Sequence, residues 1–185
     1  QGRTNDRIGL VIFAGESYTQ CPPTLDYGAF LNFLKTVRIA DEDWDGTAMG
    51  TGIATAANRL RKSDAKSKVI ILLTDGRSNV GIIVDPIVAA KTAEAYDIKI
   101  YTIGTATKGK AKVPTGDPFQ PYATMDDDLD EPTLLEVARR TGGEFYRAAN
   151  YAELARIYDR IDALEKTKFE VKTQTNYTDF YLLFL

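Results

Sequence analysis

The fold is decided by the stretch Lys68-Val69-Ile70-Ile71-Leu72-Leu73-Thr74-Asp75-Gly76-Arg77-Ser78-Asn79. Its unbroken run of five aliphatic residues predicts a strand that is buried on both faces. The run ends abruptly in a carboxylate and turn-forming residues, so Asp75 should lie at the carboxyl edge of a parallel sheet. Open α/β folds bind their ligands at this edge, where the strand order reverses. We therefore expect the functional site there.

The composition of the chain excludes several kinds of site. Its 185 residues, 44% of them hydrophobic and 26% charged, suit one globular domain. The chain has no histidine and one cysteine, Cys21, which excludes Ser-His and Cys-His nucleophile pairs and imidazole-based zinc sites. A net charge of −3 without a basic stripe argues against a nucleic-acid partner. Any metal here would have to be a hard cation with oxygen ligands.

Strand and helix patterns alternate along the chain, which predicts a largely parallel sheet with helices on both faces. The expected strands are residues 8–13, 17–21, 69–73, 98–103 and 144–147, the first two forming a hairpin. The expected helices are residues 27–37, 47–61, 85–96, 131–141 and 150–165. Asp26, Asp85 and Asp130 have the type and position of helix caps, and Asn150 with Glu153 approximates a capping box.

The segment 105–130 shows no clear period and is expected to be a long loop. Its acidic run Asp126-Asp127-Asp128 is a candidate calcium site. The carboxylates lack the alternation and the glycine of an EF-hand loop, and Asp130 is expected to cap the next helix, so we favour a structural role for this run.

The glycine-rich segment 43–53 is a second candidate for ligand binding. It has neither the lysine of a phosphate-binding P-loop nor the strand and spacing of a dinucleotide site. Taken alone, the segment is better interpreted as a helix start at which Asp45 or Thr47 caps the first turn.

The two motifs together resemble the von Willebrand factor A (VWA) domain, in which a threonine loop and an aspartate loop contribute to a metal-ion-dependent adhesion site (MIDAS). The threonine motif is Asp45-Gly46-Thr47-Ala48, and the aspartate motif is Leu73-Thr74-Asp75-Gly76. With Phe13-Ala14-Gly15-Glu16 and Asp128-Leu129-Asp130-Glu131, they are similar to the membrane-anchored bacterial proteins of the aerotolerance (Bat) type. The resemblance implies a three-layer, doubly wound, Rossmann-like sheet.

The resemblance also implies a ligand set. Thr47 would offer its hydroxyl, and Asp75 its carboxylate, to Mg²⁺ or another divalent cation. We expect their side-chain oxygens to lie within roughly 8 Å of each other. The surrounding partner-binding residues would be Gly46, Gly76, Arg77, Ser78 and Asn79, of which the last three should be accessible to solvent and free of internal salt bridges.

One family motif is missing from the chain. The first strand of the family ends in Asp-x-Ser-x-Ser, which supplies the remaining metal ligands, and these residues contain no such motif. The ligand set is therefore incomplete here, and Mg²⁺ is expected for the full-length domain. We expect residues 1–168 to form a VWA domain that lacks its first central strand, which would stand between strands 8–13 and 69–73.

The apolar tail, residues 169–185, has two interpretations. Its segment 177–185 could occupy the position of the missing strand, within one chain or exchanged between two chains as a dimer. In the full-length protein it would instead be a juxtamembrane segment leading to a membrane anchor, with the soluble domain in the periplasm.

Two classes of function follow from the sequence. The first is a module that binds the acidic side chain of a protein partner, such as another VWA protein or a subunit of a membrane complex. The alternative is a small α/β hydrolase or phosphotransferase that uses Asp75 near a helix N-terminus. The chain has no histidine, no nucleophile elbow and no second carboxylate close to Asp75, so we favour the binding module.

Overall fold

The computed structural model describes residues 6–38, 46–83, 85–105, 111–114, 122–125 and 129–175, with the backbone alone for 111–114, 122–125 and 167–175. The strands are β1 (Ile8–Phe13), β2 (Ser17–Thr24), β3 (Lys68–Thr74), β4 (Ile98–Gly104), β5 (Ala111–Pro114), β6 (Tyr122–Met125) and β7 (Phe145–Arg147). The helices are α1 (Tyr27–Lys35), α2 (Met49–Leu60), α3 (Pro86–Ala95), α4 (Glu131–Thr141) and α5 (Tyr151–Thr175).

The centre of the molecule is a parallel sheet in the order β3-β4-β7. Alternate residues of β4 face opposite sides of this sheet, as the period of a strand requires. Ile98 and Ile100 pack in a core with α2, α3 and α4, whereas Tyr101 and Ile103 pack against α5. The prediction of an α/β fold with helices on both faces is therefore confirmed.

Most of the predicted helix starts are confirmed by their caps. The carboxylates of Asp26, Asp85 and Asp130 each accept a hydrogen bond from a backbone N–H in the first turn of the following helix. The expected cap at Thr47 is wrong, because Ala48 is the N-cap residue of α2. Asp45, the other expected cap, lies outside the described residues and stays a prediction. The helix begins late because the Thr47 carbonyl oxygen accepts from the Asn79 N–H, whereas the Ala48 carbonyl oxygen accepts a hydrogen bond of the helix, from the Gly52 N–H.

The expected long loop between β4 and α4 is wrong in one respect. It contains an antiparallel hairpin, in which Ala111 pairs with Met125 and Pro114 with Tyr122. Each strand has only four residues and one includes a proline, so no period was visible in the sequence. The acidic run 126–128 lies outside the described residues, so its structural role stays a prediction.

A gap of the expected kind separates the two larger sheets. Within the described residues β1 pairs only with β2, and β3 pairs only with β4, so each has one unpaired edge. Helix α2 packs against both strands. Ile71 and Leu73 lie on the face of the sheet that α5 covers at β4, and they remain 37% and 40% exposed. Among the described residues, the predicted burial of β3 on both faces is therefore wrong for this face. These edges match the expected absence of a strand between β1 and β3.

The expected occupant of this gap is the apolar segment 177–185. Residues 176–185 lie outside the described residues, so the surrogate strand and the exchanged dimer stay predictions. Helix α5 runs past the boundary expected at residue 168 and continues to Thr175. In the described part of the chain, no helix has the length and apolar character needed to cross a bilayer.

Candidate metal site at the carboxyl edge of the sheet

The threonine loop and the aspartate loop lie side by side at the carboxyl edge of β3. A Cβ atom placed on Gly76 would lie 3.5 Å from Oγ1 of Thr47. Asn79 joins the loops twice: its N–H donates to the Thr47 carbonyl oxygen (3.2 Å), and its Oδ1 accepts from the Thr47 N–H (2.8 Å). The structure thus brings together the two motifs that the sequence singled out. The separation of the Thr47 and Asp75 oxygens stays a prediction.

Two glycines allow the loops to pack this closely. Gly46 has a φ of +124° and Gly81 a φ of +108°, conformations that other residues rarely adopt. A Cβ on Gly46 would lie 2.6 Å from the Val80 side chain, and a Cβ on Gly81 would lie 2.6 Å from Oγ1 of Thr51. The glycines before and after the site therefore serve both backbone conformation and close packing.

The start of α2 is held by two further hydrogen bonds. The Ala48 N–H donates to the Ala14 carbonyl oxygen at the end of β1 (2.6 Å). The Ile83 N–H donates to Oγ1 of Thr51 (3.1 Å), which fixes the chain that follows the aspartate loop. Since Thr47 does not cap the helix, its hydroxyl makes no hydrogen bond to the described residues around it.

Three oxygen-bearing side chains at this edge make no hydrogen bond or ion pair to the described residues: Thr47, Asp75 and Ser78. Asp75 is exposed, whereas the Ser78 hydroxyl is buried. A buried hydroxyl without a partner costs about 1 to 3 kcal/mol unless a ligand or water satisfies it. The edge therefore carries oxygen atoms that the described part of the chain does not use.

The expected accessibility of residues 77–79 holds only in part. Arg77 and Asn79 are exposed, but Ser78 is half-buried and its hydroxyl is out of contact with solvent, so the prediction is wrong for that group. The hydrogen bonds between Asn79 and Thr47 hold this loop against the threonine loop, which reduces its exposure to solvent. Sequence reasoning placed Asn79 on the partner surface and missed its role in joining the loops.

The donor chemistry at this edge fits a hard divalent cation. Thr47 and Asp75 offer oxygen atoms, and Mg²⁺ is commonly held by one or two carboxylates together with several waters. Among the described residues, no three or more His, Cys, Asp or Glu side chains gather into a metal-binding group. From the described residues alone, a cation at this edge would therefore have few protein carboxylates and open coordination positions.

The opposite edge of the sheet contains a polar cluster that the sequence did not reveal. Glu165 of α5 is 7% exposed and accepts hydrogen bonds from Lys99, the Tyr101 hydroxyl (2.6 Å) and the Ser67 hydroxyl (3.1 Å). Burial alone would raise the pKa of Glu165, but the hydrogen bonds from Lys99 and Tyr101 and the Lys99 charge lower it below its ordinary value of 4.5. The cluster fixes α5 to the sheet at the end remote from the candidate site.

The chain resembles known proteins in sequence. Residues 1–160 match the family model of the von Willebrand factor type A domain. An uncharacterized protein of Borreliella burgdorferi is 30% identical over 99% of this chain and 54% of its own length. A UPF0353 protein of Nocardia farcinica is 27% identical over 84% of this chain and 50% of its own length. The chain thus spans about half the length of these curated relatives.

Two solved structures are similar in fold. One is an aerotolerance-related membrane protein from Bacteroides fragilis, with a TM-score of 0.66 and 25% identity over 85% of this chain and 78% of the other. The second is the conserved hypothetical protein BatB from Bacteroides thetaiotaomicron, with a TM-score of 0.64 and 25% identity over 88% of this chain and 80% of the other.

Proposed function

Because the chain belongs to the von Willebrand factor type A domain family, we propose that it is a protein-interaction module that holds a divalent cation for a partner's acidic side chain. The observation that carries the proposal is the meeting of the threonine and aspartate loops, joined by Asn79, at an edge where the oxygens of Thr47 and Asp75 are uncommitted. Neither oxygen makes a hydrogen bond or ion pair with the described residues.

Each residue at this edge has a role in the proposal. Thr47 and Asp75 hold the cation, directly or through water, and Asn79 keeps their loops together. When bound, the cation supplies a positive centre with an open position for a carboxylate. Arg77 is exposed on the same loop and would lie at the edge of the partner surface. Ligands from an Asp-x-Ser-x-Ser motif would complete the coordination in a longer protein.

The setting of the interaction is also a proposal. The similarity to an aerotolerance-related membrane protein and to BatB supports a role in a membrane-associated bacterial complex. Within such a complex, the module would be anchored to the membrane and face the periplasm. It would bind another VWA protein or a further subunit of the complex.

We propose that the module binds without catalysing a reaction. The chain has no histidine to act as a general base near neutral pH, so Asp75 has no partner of the usual kind for a hydrolase. Phosphatase and esterase assays with Mg²⁺ should give no turnover above buffer. Turnover that Asp75→Asn abolishes would favour the alternative of a small hydrolase or phosphotransferase.

The test uses a longer protein that carries the Asp-x-Ser-x-Ser motif. Thr47→Ala and Asp75→Ala should each abolish Mg²⁺-dependent capture of a partner from bacterial membrane extracts, with EDTA elution as the readout. Thr92→Ala and Asp159→Ala are matched controls, since both residues are exposed on helices away from this edge. Capture that survives either site substitution contradicts the proposal.

A further inference from the structure

A concave feature, which we call the side pocket, lies on the same edge of the sheet as the candidate metal site. It encloses about 280 Å³ and is lined by Thr105, Ala148, Ala149, Asn150, Tyr151 and Leu154. The Thr105 N–H donates to the carbonyl oxygen of Thr74, the residue before Asp75 (2.9 Å). The pocket and the candidate metal site are therefore parts of one continuous edge.

The pocket is unsuited to an anion, although α5 begins at its wall. Oδ1 of Asn150 accepts from the Glu153 N–H (3.0 Å), and Oε2 of Glu153 accepts from the Ala149 N–H (2.8 Å). The Glu153 N–H in the first turn and the Ala149 N–H just before the helix are therefore occupied, and the Glu153 carboxylate adds negative charge that disfavours an anion.

The remaining walls are mainly apolar. Ala148 is buried, and Leu154 packs against the cluster that contains Tyr101 and Ile103. The Tyr151 side chain is 84% exposed at the rim, so it is available to cover an incoming group. A neutral aliphatic or aromatic side chain is the group that these surroundings favour.

The spacing between the pocket and the metal site restricts how a partner can reach both. The pocket lies at the ends of β4 and β7, and Asp75 follows β3, so one to two strand spacings of about 4.8 Å separate them. An extended peptide advances about 3.3 Å per residue and places alternate side chains on one side. An acidic residue and an apolar residue two positions apart match this distance.

We propose that the side pocket receives a large apolar side chain of the partner whose acidic side chain lies at the Thr47–Asp75 site. The inference rests on the proposed function and defines its partner. The recognised segment is extended and has the pattern acidic-x-apolar, in which the acidic residue gives metal dependence and the apolar residue gives selectivity.

Three capped tripeptides test the proposal on the longer protein that carries the Asp-x-Ser-x-Ser motif, in the presence of Mg²⁺, with backbone amide shifts in NMR spectra as the readout. The probes are Asp-Ala-Phe, Asp-Ala-Ala and Asn-Ala-Phe. Asp-Ala-Phe should shift the amides of both Gly76 and Leu154. It should bind about tenfold more tightly than Asp-Ala-Ala, as expected for partial burial of one aromatic ring. Equal affinities of these two probes would contradict the proposal that the side pocket receives an apolar side chain.

A pair of tyrosine variants locates the contact. Tyr151→Ala should remove the advantage of Asp-Ala-Phe over Asp-Ala-Ala. Tyr158→Ala is the matched control, because Tyr158 is on the same helix, is 41% exposed and does not line the pocket. Both variants should fold, since neither side chain is buried. An advantage that survives Tyr151→Ala, or is lost equally in both variants, contradicts the assignment.

The probes separate failure of the pocket from failure of the metal site. If Asn-Ala-Phe shifts Leu154 while Mg²⁺ has no effect on the aspartate probes, the pocket stands and the metal-dependent function is wrong. If Mg²⁺ promotes binding of both aspartate probes equally, the metal site stands and the pocket is wrong. Absence of binding by all three overturns both.

Discussion

The two ends of the sheet treat their carboxylates in opposite ways. At the amino edge, Glu165 is buried and bound by Lys99, Tyr101 and Ser67, so its charge is fully used within the fold. At the carboxyl edge, Asp75 is exposed and binds none of the described residues. A buried carboxylate that accepts hydrogen bonds from several internal donors stabilises the fold. An exposed carboxylate without such donors is available to bind a ligand.

The largest expected effect comes from making the same chemical change at both edges. Glu165→Gln should lower the free energy of unfolding by about 3 kcal/mol, because it removes the charge that satisfies Lys99 and weakens two hydroxyl hydrogen bonds. Asp75→Asn should change it by less than about 0.5 kcal/mol, because Asp75 makes no hydrogen bond or ion pair with the described residues.

Urea unfolding followed by circular dichroism measures both changes. Lys166 and Asp162 provide a control, since they form an exposed ion pair on the same helix as Glu165. Asp162→Asn should cost less than about 1 kcal/mol. Similar losses for Glu165→Gln and Asp75→Asn would remove the distinction between the edges.

The pH dependence of stability provides a second test of the amino edge. The pKa of Glu165 is lowered in the folded chain, so protonation favours the unfolded state. Its contribution is present above the ordinary pKa of 4.5 and is lost as the pH falls through the lower pKa of the folded state. The difference in stability between wild type and Glu165→Gln should therefore shrink below pH 4.5. A constant difference down to the acid transition would contradict this assignment.

A smaller effect is expected for the residue that joins the two loops. Asn79→Ala removes the acceptor of the Thr47 N–H and should cost about 1 kcal/mol. It should also speed hydrogen exchange at the Thr47 amide, whereas Asn32→Ala, at an exposed position of α1, should change neither quantity. Unchanged exchange at Thr47 would show that Asn79 does not hold the loops together.

Local patterns were sufficient to predict most of the fold. The aliphatic run of β3, the aspartate caps of three helices and the capping box at Asn150 depend on residues close together in the chain. The pairing of the threonine and aspartate loops was also predicted, but only because the two motifs together resemble a family. Neither the threonine motif nor the aspartate motif was sufficient alone to predict the site.

The features that were missed depend on distant or weak signals. Glu165 meets partners 64 to 98 positions away, and nothing in the helix containing it distinguishes it from an exposed glutamate. The hairpin of β5 and β6 has strands too short to show a period. Thr47 was a plausible cap for α2, but its backbone N–H and carbonyl oxygen both bind Asn79, 32 positions away, and the helix begins after it.

Paramagnetic broadening by Mn²⁺ in NMR spectra of this chain tests the central claim most directly. It detects weak binding, which is what an incomplete ligand set should give, and Mn²⁺ shares the preference of Mg²⁺ for oxygen ligands. The account predicts that broadening centres on the amides of Thr47 and Gly76, is reversed by excess Mg²⁺ and disappears in Asp75→Asn, whereas Asp159→Asn leaves it unchanged. Broadening that is absent at this edge, or that survives Asp75→Asn, would contradict the account.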